Sequence, residues 1–473
     1  MKKRLLSLLM TLALCLSLVP FAAVPAGAEW SGDGSKDNPY QIGSAEQLAK
    51  FRDIFNGTGG EEQNDKACAL LTADIDLGGI DSEGKGIEGK EWTPMGKNES
   101  LAYLGVFDGG GHTVSGLYVD LSGDVLYAGL FGYIGKDETN TGTVQDLIVA
   151  GTVTLNTTAD GNVCLGGVAG LNGGTIQCVS WSGSVTGTRE TGDNGDFDGG
   201  GVTGRNDGTV SRCRALGKVG LGYSGDSVFH TRAGGVVGYN AQKALLEDSF
   251  SDGAVFANRA NTTSGKALAG GVVGSNEGTV QRGYHFRGEV TAKYENNHNN
   301  NDNNAVAGGV AGFGGGSPDS LTACYWLKGT AGIGIREGQG QATELTTEQF
   351  RDQSSFDGSW FTGDDARWTM GPKRPELLCF VKTVTTWEAC WDAMQKDCMV
   401  VLGADLSPEP DVDRISDNRP LTVPEGGSVV LDLAGHTIDR NLTEFAMPNG
   451  CVLRAEGELT VIDSSDEIGR AHV

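Results

Sequence analysis

Short apolar segments alternate with glycine and polar residues between positions 166 and 326, and this alternation recurs along the chain. Each unit begins with Gly-Gly-Val, alternates valine or isoleucine with small residues, and breaks at a polar, usually asparagine-containing turn, as short strands joined by tight turns do. Successive starts are 34 to 38 residues apart, at Gly166, Gly200, Gly234, Gly270 and Gly308. Self-similarity at this period predicts a solenoid.

Glycine content decides between a helical and a β solenoid. Glycine supplies 75 of the 473 residues, and each glycine would cost the interior of a helix about 1 kcal/mol. The units also share an asparagine, a residue that tolerates the left-handed conformation and whose amide can hydrogen-bond to the next coil when stacked. These asparagines are Asn172, Asn206, Asn240 and Asn276. We therefore predict an all-β fold, a right-handed parallel β-helix with one coil per unit.

A second repeated position is assigned to cysteine. Cys178, Cys213 and Cys324 are predicted to share it, and Ser249 and Gly283 fill it in the other units. The favoured interpretation is a small buried residue stacked on its neighbours, and a metal or redox role is the alternative.

Short helices are expected to cover the strand edges that a β-helix leaves open. The capping-box pattern that begins a helix occurs three times, at Ser44 with Gln47, Thr346 with Gln349, and Thr385 with Glu388. Short strands follow the third pattern, so a second β-helix-like unit is predicted to begin near residue 379.

The motif Asp-x-x-Gly-His-Thr occurs once in each predicted unit, at Asp108–Thr113 and Asp432–Thr437. Both copies follow a predicted helix and strand, which places them in opening coils. A histidine near an aspartate also suggests catalysis, but neither copy brings a nearby nucleophile or second acid. We interpret His112 and His436 as turn or edge residues.

No catalytic or cofactor-binding residues are predicted. The chain lacks His-Glu-x-x-His and Gly-x-Ser-x-Gly. The Asn-Thr-Asp, Gly-His-Gly and Arg-Ile-Lys signatures of polygalacturonase-like β-helix enzymes are also missing.

One acidic loop, Asn194–Gly199, has oxygen-bearing side chains at alternate positions and glycine at the sixth, as calcium loops do. Its candidate metal ligands are Asn194, Asp196 and Asp198. The twelfth position is Arg205, where a calcium loop needs a bidentate carboxylate. A solvated turn is therefore the favoured interpretation, with calcium as the alternative.

The first residues predict export. Lys2–Arg4 form a basic start, Leu5–Val19 an apolar run and Ala26–Ala28 a small-residue cleavage site. We expect a secreted or bacterial cell-surface protein, with no membrane span in this chain. The formal net charge of −25 argues against nucleic acid and anionic lipid as partners.

The units resemble the GLUG repeat of secreted bacterial surface proteins, named for Gly-Leu-x-Gly. Gly129–Gly132 spells that name, and the other units carry valine at the leucine position. The resemblance covers about residues 128–326 and implies an adhesin-like scaffold that binds extracellular proteins or glycans. The GLUG repeat also occurs in large secreted metallopeptidases, so one alternative is a non-catalytic N-terminal region of a larger enzyme. Another is a carbohydrate-active β-helix enzyme.

The predicted organisation has six parts. They are a signal peptide at 1–28, a cap with the first coils at 29–127, the repeats at 128–326, closure of the first solenoid at 327–378, the start of a second β-helix unit at 379–466 and a non-native tail at 467–473. The tail, EIGRAHV, resembles a translated sequencing adapter. We expect a gene fragment whose intact form continues into more coils and a wall-attachment element.

Overall fold

The computed structural model is a parallel β-helix followed by a smaller group of parallel strands, which confirms the predicted fold class. The structure describes residues 31–190, 194–225, 229–260, 265–295, 304–315, 317–362, 366–395, 398–407, 420–424, 428–439 and 452–463. The predicted signal peptide and non-native tail lie outside these ranges.

Three α-helices occur in the described ranges: α1 (Ala45–Asn56), α2 (Thr347–Phe350) and α3 (Trp387–Met394). Ser44 caps α1, and Thr346 and Gln349 form the predicted capping box of α2. The third expected cap is wrong by one residue. Thr386, not Thr385, accepts the hydrogen bond from the Ala389 backbone, because α3 begins one position later than the pattern suggests.

Eight strands precede the regular repeats: β1 (Tyr40–Ile42), β2 (Ala69–Leu71), β3 (Ile75–Asp76), β4 (Val106–Asp108), β5 (Thr113–Gly123), β6 (Tyr127–Ala128), β7 (Phe131–Ile134) and β8 (Thr143–Thr157). Helix α1 lies against them. Phe51 and Phe55 of α1 pack on the rings of Phe107 and Tyr103, with centroids 5.8 and 5.4 Å apart.

The following coils contain β9 (Val163–Gly166), β10 (Ala169–Asn172), β11 (Thr175–Arg189), β12 (Phe197–Gly200), β13 (Thr203–Asn206), β14 (Thr209–Ser211), β15 (Arg214–Tyr223), β16 (Thr231–Gly234), β17 (Val237–Asn240), β18 (Leu245–Ser251), β19 (Val255–Ala260), β20 (Ala267–Gly270), β21 (Val273–Asn276), β22 (Thr279–His285), β23 (Val290–Glu295), β24 (Ala305–Gly308), β25 (Ala311–Gly314), β26 (Leu321–Thr322), β27 (Cys324–Leu327), β28 (Ile335–Gly338) and β29 (Ala342–Leu345).

Each coil contributes to three parallel sheets. In one coil, β9 belongs to a six-stranded sheet, β10 to a seven-stranded sheet and the long strand β11 to a sixteen-stranded sheet. Coils pair at matched sequence positions, so Thr175 lies opposite Thr209 of the next coil. The valine of each Gly-Gly-Val is fully buried, as Val236 and Val272 illustrate. Like residues therefore stack on like residues through the core.

The predicted amide stack is present. Asn172 donates through Nδ2 to Asn206 Oδ1 at 2.9 Å, Asn206 donates to Asn240 at 2.8 Å, and Asn240 donates to Asn276 at 2.8 Å. All four side chains are fully buried. None of them has a positive φ, so stacking rather than a left-handed turn accounts for asparagine at this position.

A different stacked position, filled by one residue from each coil, adopts the left-handed conformation; we call it the left-handed column. One residue per coil, at the bend of the large sheet, has φ between 46° and 54°: Asp146, Cys178, Arg212, Asp248, Arg282 and Ala323. This left-handed column corrects the cysteine prediction. Gln177 pairs with Ser211, so Cys178 stacks with Arg212, and it is Val179 that occupies the level of Cys213. Matching the units by residue type alone shifted Cys178 by one position.

The chain then reverses and runs back along the large sheet. The remaining strands are β30 (Trp368–Met370), β31 (Pro375–Leu377), β32 (Val381–Val384), β33 (Met399–Leu402), β34 (Leu421–Val423), β35 (Ser428–Asp432), β36 (Leu453–Ala455) and β37 (Glu458–Ile462). Strands β30 and β31 are antiparallel, and β32, β33, β35 and β37 form a four-stranded parallel sheet.

We call residues 366–384 the returning segment. Trp368 Nε1 donates to Asp248 Oδ1 at 2.8 Å, and the ring of Trp368 packs on Phe250 and Tyr284. Further along, Cys379 Sγ lies 3.7 Å from the Arg212 carbonyl oxygen. The segment thus follows the left-handed column from later coils to earlier ones.

Candidate functional site

The two Asp-x-x-Gly-His-Thr copies build the same turn. In the first, Asp108 Oδ1 accepts the Gly110 N–H at 2.8 Å, and the His112 N–H donates to the Gly109 carbonyl oxygen at 2.8 Å. In the second, Asp432 Oδ1 accepts the Ala434 N–H at 3.0 Å, and the His436 N–H donates to the Leu433 carbonyl oxygen at 2.8 Å.

An aspartate from the preceding coil holds each turn, and the sequence interpretation missed it. Asp74 Oδ1 accepts the Thr113 N–H at 2.9 Å and lies 3.1 Å from His112 Nδ1. Asp405 Oδ1 accepts the Thr437 N–H at 2.8 Å and lies 3.5 Å from His436 Nδ1. The signal was present as Ala-Asp-Ile at 73–75 and Ala-Asp-Leu at 404–406.

This geometry gives the histidines a role in the turn. The oxygen that contacts each imidazole also binds a backbone N–H, so the aspartate orients the corner as well as the ring. These hydrogen bonds make each copy of the motif a corner of its coil.

The candidate calcium ligands do not converge on an open site. Asp198 is fully buried in β12, and its Oδ1 accepts from Arg232 Nε at 2.7 Å. Asp196 forms an ion pair with the same guanidinium. The backbone carbonyl of Asn194 accepts from Arg189 at 3.2 Å. Arg232 thus supplies the positive charge between the two carboxylates. Among the described residues, no group of three or more His, Cys, Asp or Glu side chains is arranged to hold a metal ion.

The outer side of the large sheet carries a regular set of hydroxyl and amide groups, which we call the hydroxyl face. Ser184 Oγ lies 3.3 Å from Thr152 Oγ1, and Thr188 Oγ1 donates to Asn156 Oδ1 at 2.5 Å. Its members are Thr152, Thr154 and Asn156 of β8 and Ser184, Thr186 and Thr188 of β11. Buried residues alternate with them along both strands, so these side chains face outward.

A shallow groove of about 530 Å³ borders the hydroxyl face. Its floor includes stacked glycines, and a Cβ added to Gly183 would lie 1.9 Å from the Gly151 carbonyl oxygen. Thr152, Ser184 and Lys218 line its side. Glycine at these positions lets neighbouring coils pack closely and leaves backbone accessible beside the hydroxyls.

The returning segment encloses a second space, which we call the closure cleft. It measures about 350 Å³, and its lining includes Asp108, Asp146, Cys178, Cys379 and Lys382. Burial, followed by the nearby Asp108 carboxylate, raises the pKa of Asp146 above its ordinary value. The cleft therefore combines two carboxylates of different environments with a lysine.

Comparison with known proteins gives partial similarities. No protein-family model matches the chain, so the GLUG resemblance stays a prediction. The chain is 34% identical over 165 residues to halomucin from Haloquadratum walsbyi, a region that covers 35% of this chain and 2% of halomucin. It is 34% identical over 151 residues to a Gly-rich membrane protein from Evansella cellulosilytica, covering 32% of this chain and 15% of that protein.

The chain thus spans a small share of the relatives it matches. One solved structure also has a similar arrangement, that of a Bacteroides ovatus protein described as an immunoglobulin A1 protease. The TM-score is 0.39 with 14% identity, over 74% of this chain and 94% of that chain. None of the helices in the described ranges is long and apolar enough to cross a bilayer.

Proposed function

We propose that this chain is an exported, adhesin-like scaffold of the bacterial cell surface that binds extracellular proteins or glycans along its faces. The hydroxyl face is the observation that carries the proposal. It presents hydroxyl and amide groups in register on the two adjacent coils that carry β8 and β11, with a spacing of about 4.8 Å between the strands.

Such a surface suits an extended partner. Each hydroxyl offers one donor and two acceptors, which are the groups that sugar hydroxyls and peptide backbones need. A flat array with repeated spacing supports many weak contacts along a polymer, whereas a small ligand is usually enclosed by a concave pocket. The similarity to a Gly-rich membrane protein supports placement at the cell surface.

The test begins with glycan-array and extracellular-protein screens of the full chain. Ligands that bind are then measured against two matched variants, Thr188→Arg on the hydroxyl face and Thr343→Arg on β29. Both threonines are exposed strand residues, so the substitutions have comparable effects on folding. We expect Thr188→Arg to weaken binding at least tenfold and Thr343→Arg to leave it unchanged. Equal binding by both variants would contradict the role of the hydroxyl face.

The closure cleft favours a second candidate, a carbohydrate-active enzyme. A pair of carboxylates cleaves the glycosidic bond in most glycoside hydrolases, and Asp108 and Asp146 line this cleft together with Lys382. The test is release of reducing ends from a polysaccharide panel, compared between the parent chain and Asp146→Asn. Activity that the variant abolishes while remaining folded would favour this candidate over the scaffold.

The remaining alternative is a non-catalytic region of a larger secreted enzyme. A His-Glu-x-x-His motif encoded downstream in the intact gene would support it.

A further inference from the structure

Cys178 differs from the other repeat cysteines in its surroundings. Cys213 and Cys324 lie at the buried level of the coil, where Ser249 Oγ accepts the Cys213 N–H at 3.0 Å. Cys178 instead belongs to the left-handed column at the outer bend, beside Arg212 of the next coil. Its side chain lines the closure cleft. It is therefore covered by the returning segment and not by the solenoid core.

Cys379 lies where the returning segment crosses this column. It lines the same cleft as Cys178, and its Sγ contacts the carbonyl oxygen of Arg212, the residue stacked next to Cys178. Each thiol lies close enough to shift the pKa of the other. The register of the coils and the path of the returning segment thus independently bring two cysteines together that are far apart in sequence.

The two thiols also differ in acidity. The hydrogen bond from Cys379 lowers the pKa of Cys178, and the nearby Arg212 guanidinium acts in the same direction. The same hydrogen bond, together with burial, raises the pKa of Cys379. Since the thiolate is the nucleophile in thiol–disulfide exchange, Cys178 is the thiol that reacts first.

We propose that Cys178 and Cys379 form a reversible disulfide that fastens the returning segment to the coils. The oxidant is a low-molecular-weight disulfide. The Cys178 thiolate attacks one of its sulfurs, the small S–S bond breaks, and one small thiolate leaves and takes up a proton. Cys379 loses its proton to solvent and attacks the Cys178 sulfur of the mixed disulfide, releasing the second small thiol. Two protein thiols are oxidised, and one small disulfide is reduced to two thiols.

The bond would join the returning segment to the coil that carries β11, two parts of the chain that are far apart in sequence. Closing a long loop restricts the unfolded chain, so the oxidised protein is expected to be more stable than the reduced one. It also prevents the strands after residue 379 from separating from the coils. Outside a cell such a bond persists, whereas a reducing compartment would open it. This inference is independent of the proposed binding activity.

The experiment equilibrates the full chain with a series of reduced and oxidised glutathione ratios, blocks free thiols by alkylation, and maps disulfide-linked peptides by mass spectrometry. We expect a linked pair containing Cys178 and Cys379 in the folded protein, and a thermal midpoint several degrees higher in the oxidised form. Dithiothreitol should reverse both changes.

Two variants sharpen the result. Cys379→Ser should remove the linked peptide and the gain in thermal midpoint. Cys213→Ser is the matched control because serine already occupies that level at Ser249, and it should leave both results intact. The proposal is overturned if the oxidised, folded parent chain shows no Cys178–Cys379 peptide. It is equally overturned if Cys379 pairs instead with Cys398, which lines the same cleft.

Discussion

Asp74 Oδ1 lies 2.9 Å from the backbone nitrogen of Thr113 and fixes the corner at which β5 begins. The same relationship recurs between Asp405 and Thr437 at 2.8 Å, in the smaller group of strands. The duplicated motif is therefore half of a pair, and its other half is an Ala-Asp dipeptide one coil earlier.

Replacing Asp74 by alanine should destabilise the opening coils. The change removes the acceptor of the Thr113 N–H and the partner of His112, and a loss of about 1–2 kcal/mol is expected for such contacts at a partly exposed site. Urea unfolding measures it. The companion variant His112→Asn should change the free energy of unfolding by less than about 0.5 kcal/mol and leave binding by the folded protein unchanged. Selective loss of binding in His112→Asn would contradict the architectural role.

Val272→Asp should damage the centre of the solenoid. Val272 is fully buried and stacks in the valine column, so the substitution buries a charge with no partner and should cost on the order of 3–5 kcal/mol. Thermal unfolding tests this, with Thr343→Asp on an exposed strand position as the control. A near-parental midpoint for Val272→Asp would be incompatible with the solenoid core described above.

Asn240→Ala should interrupt the amide ladder. Asn240 accepts from Asn206 and donates to Asn276, both at 2.8 Å. Its removal therefore leaves buried polar groups on two neighbouring coils without these hydrogen-bond partners. We expect the free energy of unfolding to fall by about 2–3 kcal/mol and amide hydrogen exchange to become faster around β13 and β21. Gln242→Ala, an exposed change in the same turn, is the control. If amide hydrogen exchange were the same in both variants, the asparagine ladder would contribute little to the stability of the fold.

Stability should fall as the solution is acidified from pH 7 toward pH 5. His285 is fully buried between Ser251 and the Gly288 carbonyl oxygen, at 2.8 and 2.9 Å, and burial lowers its pKa. The unfolded chain therefore binds a proton near pH 6.5 that the folded chain does not, so the neutral histidine stabilises the fold above that pH and the contribution is lost below it.

The free energy of unfolding should change with pH by up to about 1.4 kcal/mol per pH unit because of His285. Urea unfolding at several pH values measures it, and His285→Gln should flatten the dependence. An unchanged slope in that variant would assign the effect to other groups, of which His230 is the first to examine because its pKa is also lowered by burial.

The period of the sequence predicted the solenoid, the buried valines and the asparagine ladder because these features depend on contacts between identical positions of adjacent units. The register of Cys178 could not be predicted by matching residue types. It depends on which residue at each bend adopts positive φ, and in these coils that residue is never glycine.

The path of the returning segment was not predicted, for a different reason. The sequence indicated closure of the first solenoid at 327–378 but not a course back along the large sheet. The packing of this segment joins residues far apart in sequence, which no local periodicity records. A signal was nevertheless present: Phe250, Tyr284 and Tyr325 stack at one level of successive coils. Aromatic residues on an outward position indicate that something covers them. The pairing of Cys178 with Cys379 follows from that cover.

The matched register between coils has a consequence for how the gene can change. Thr175 lies opposite Thr209, and each asparagine lies opposite the next. Unequal recombination that duplicates or deletes one whole unit would join strands whose hydrogen-bonding edges already fit. Length variants among related strains should therefore differ by complete coils, each lengthening the solenoid by about 4.8 Å, while fractional insertions should be confined to the turns.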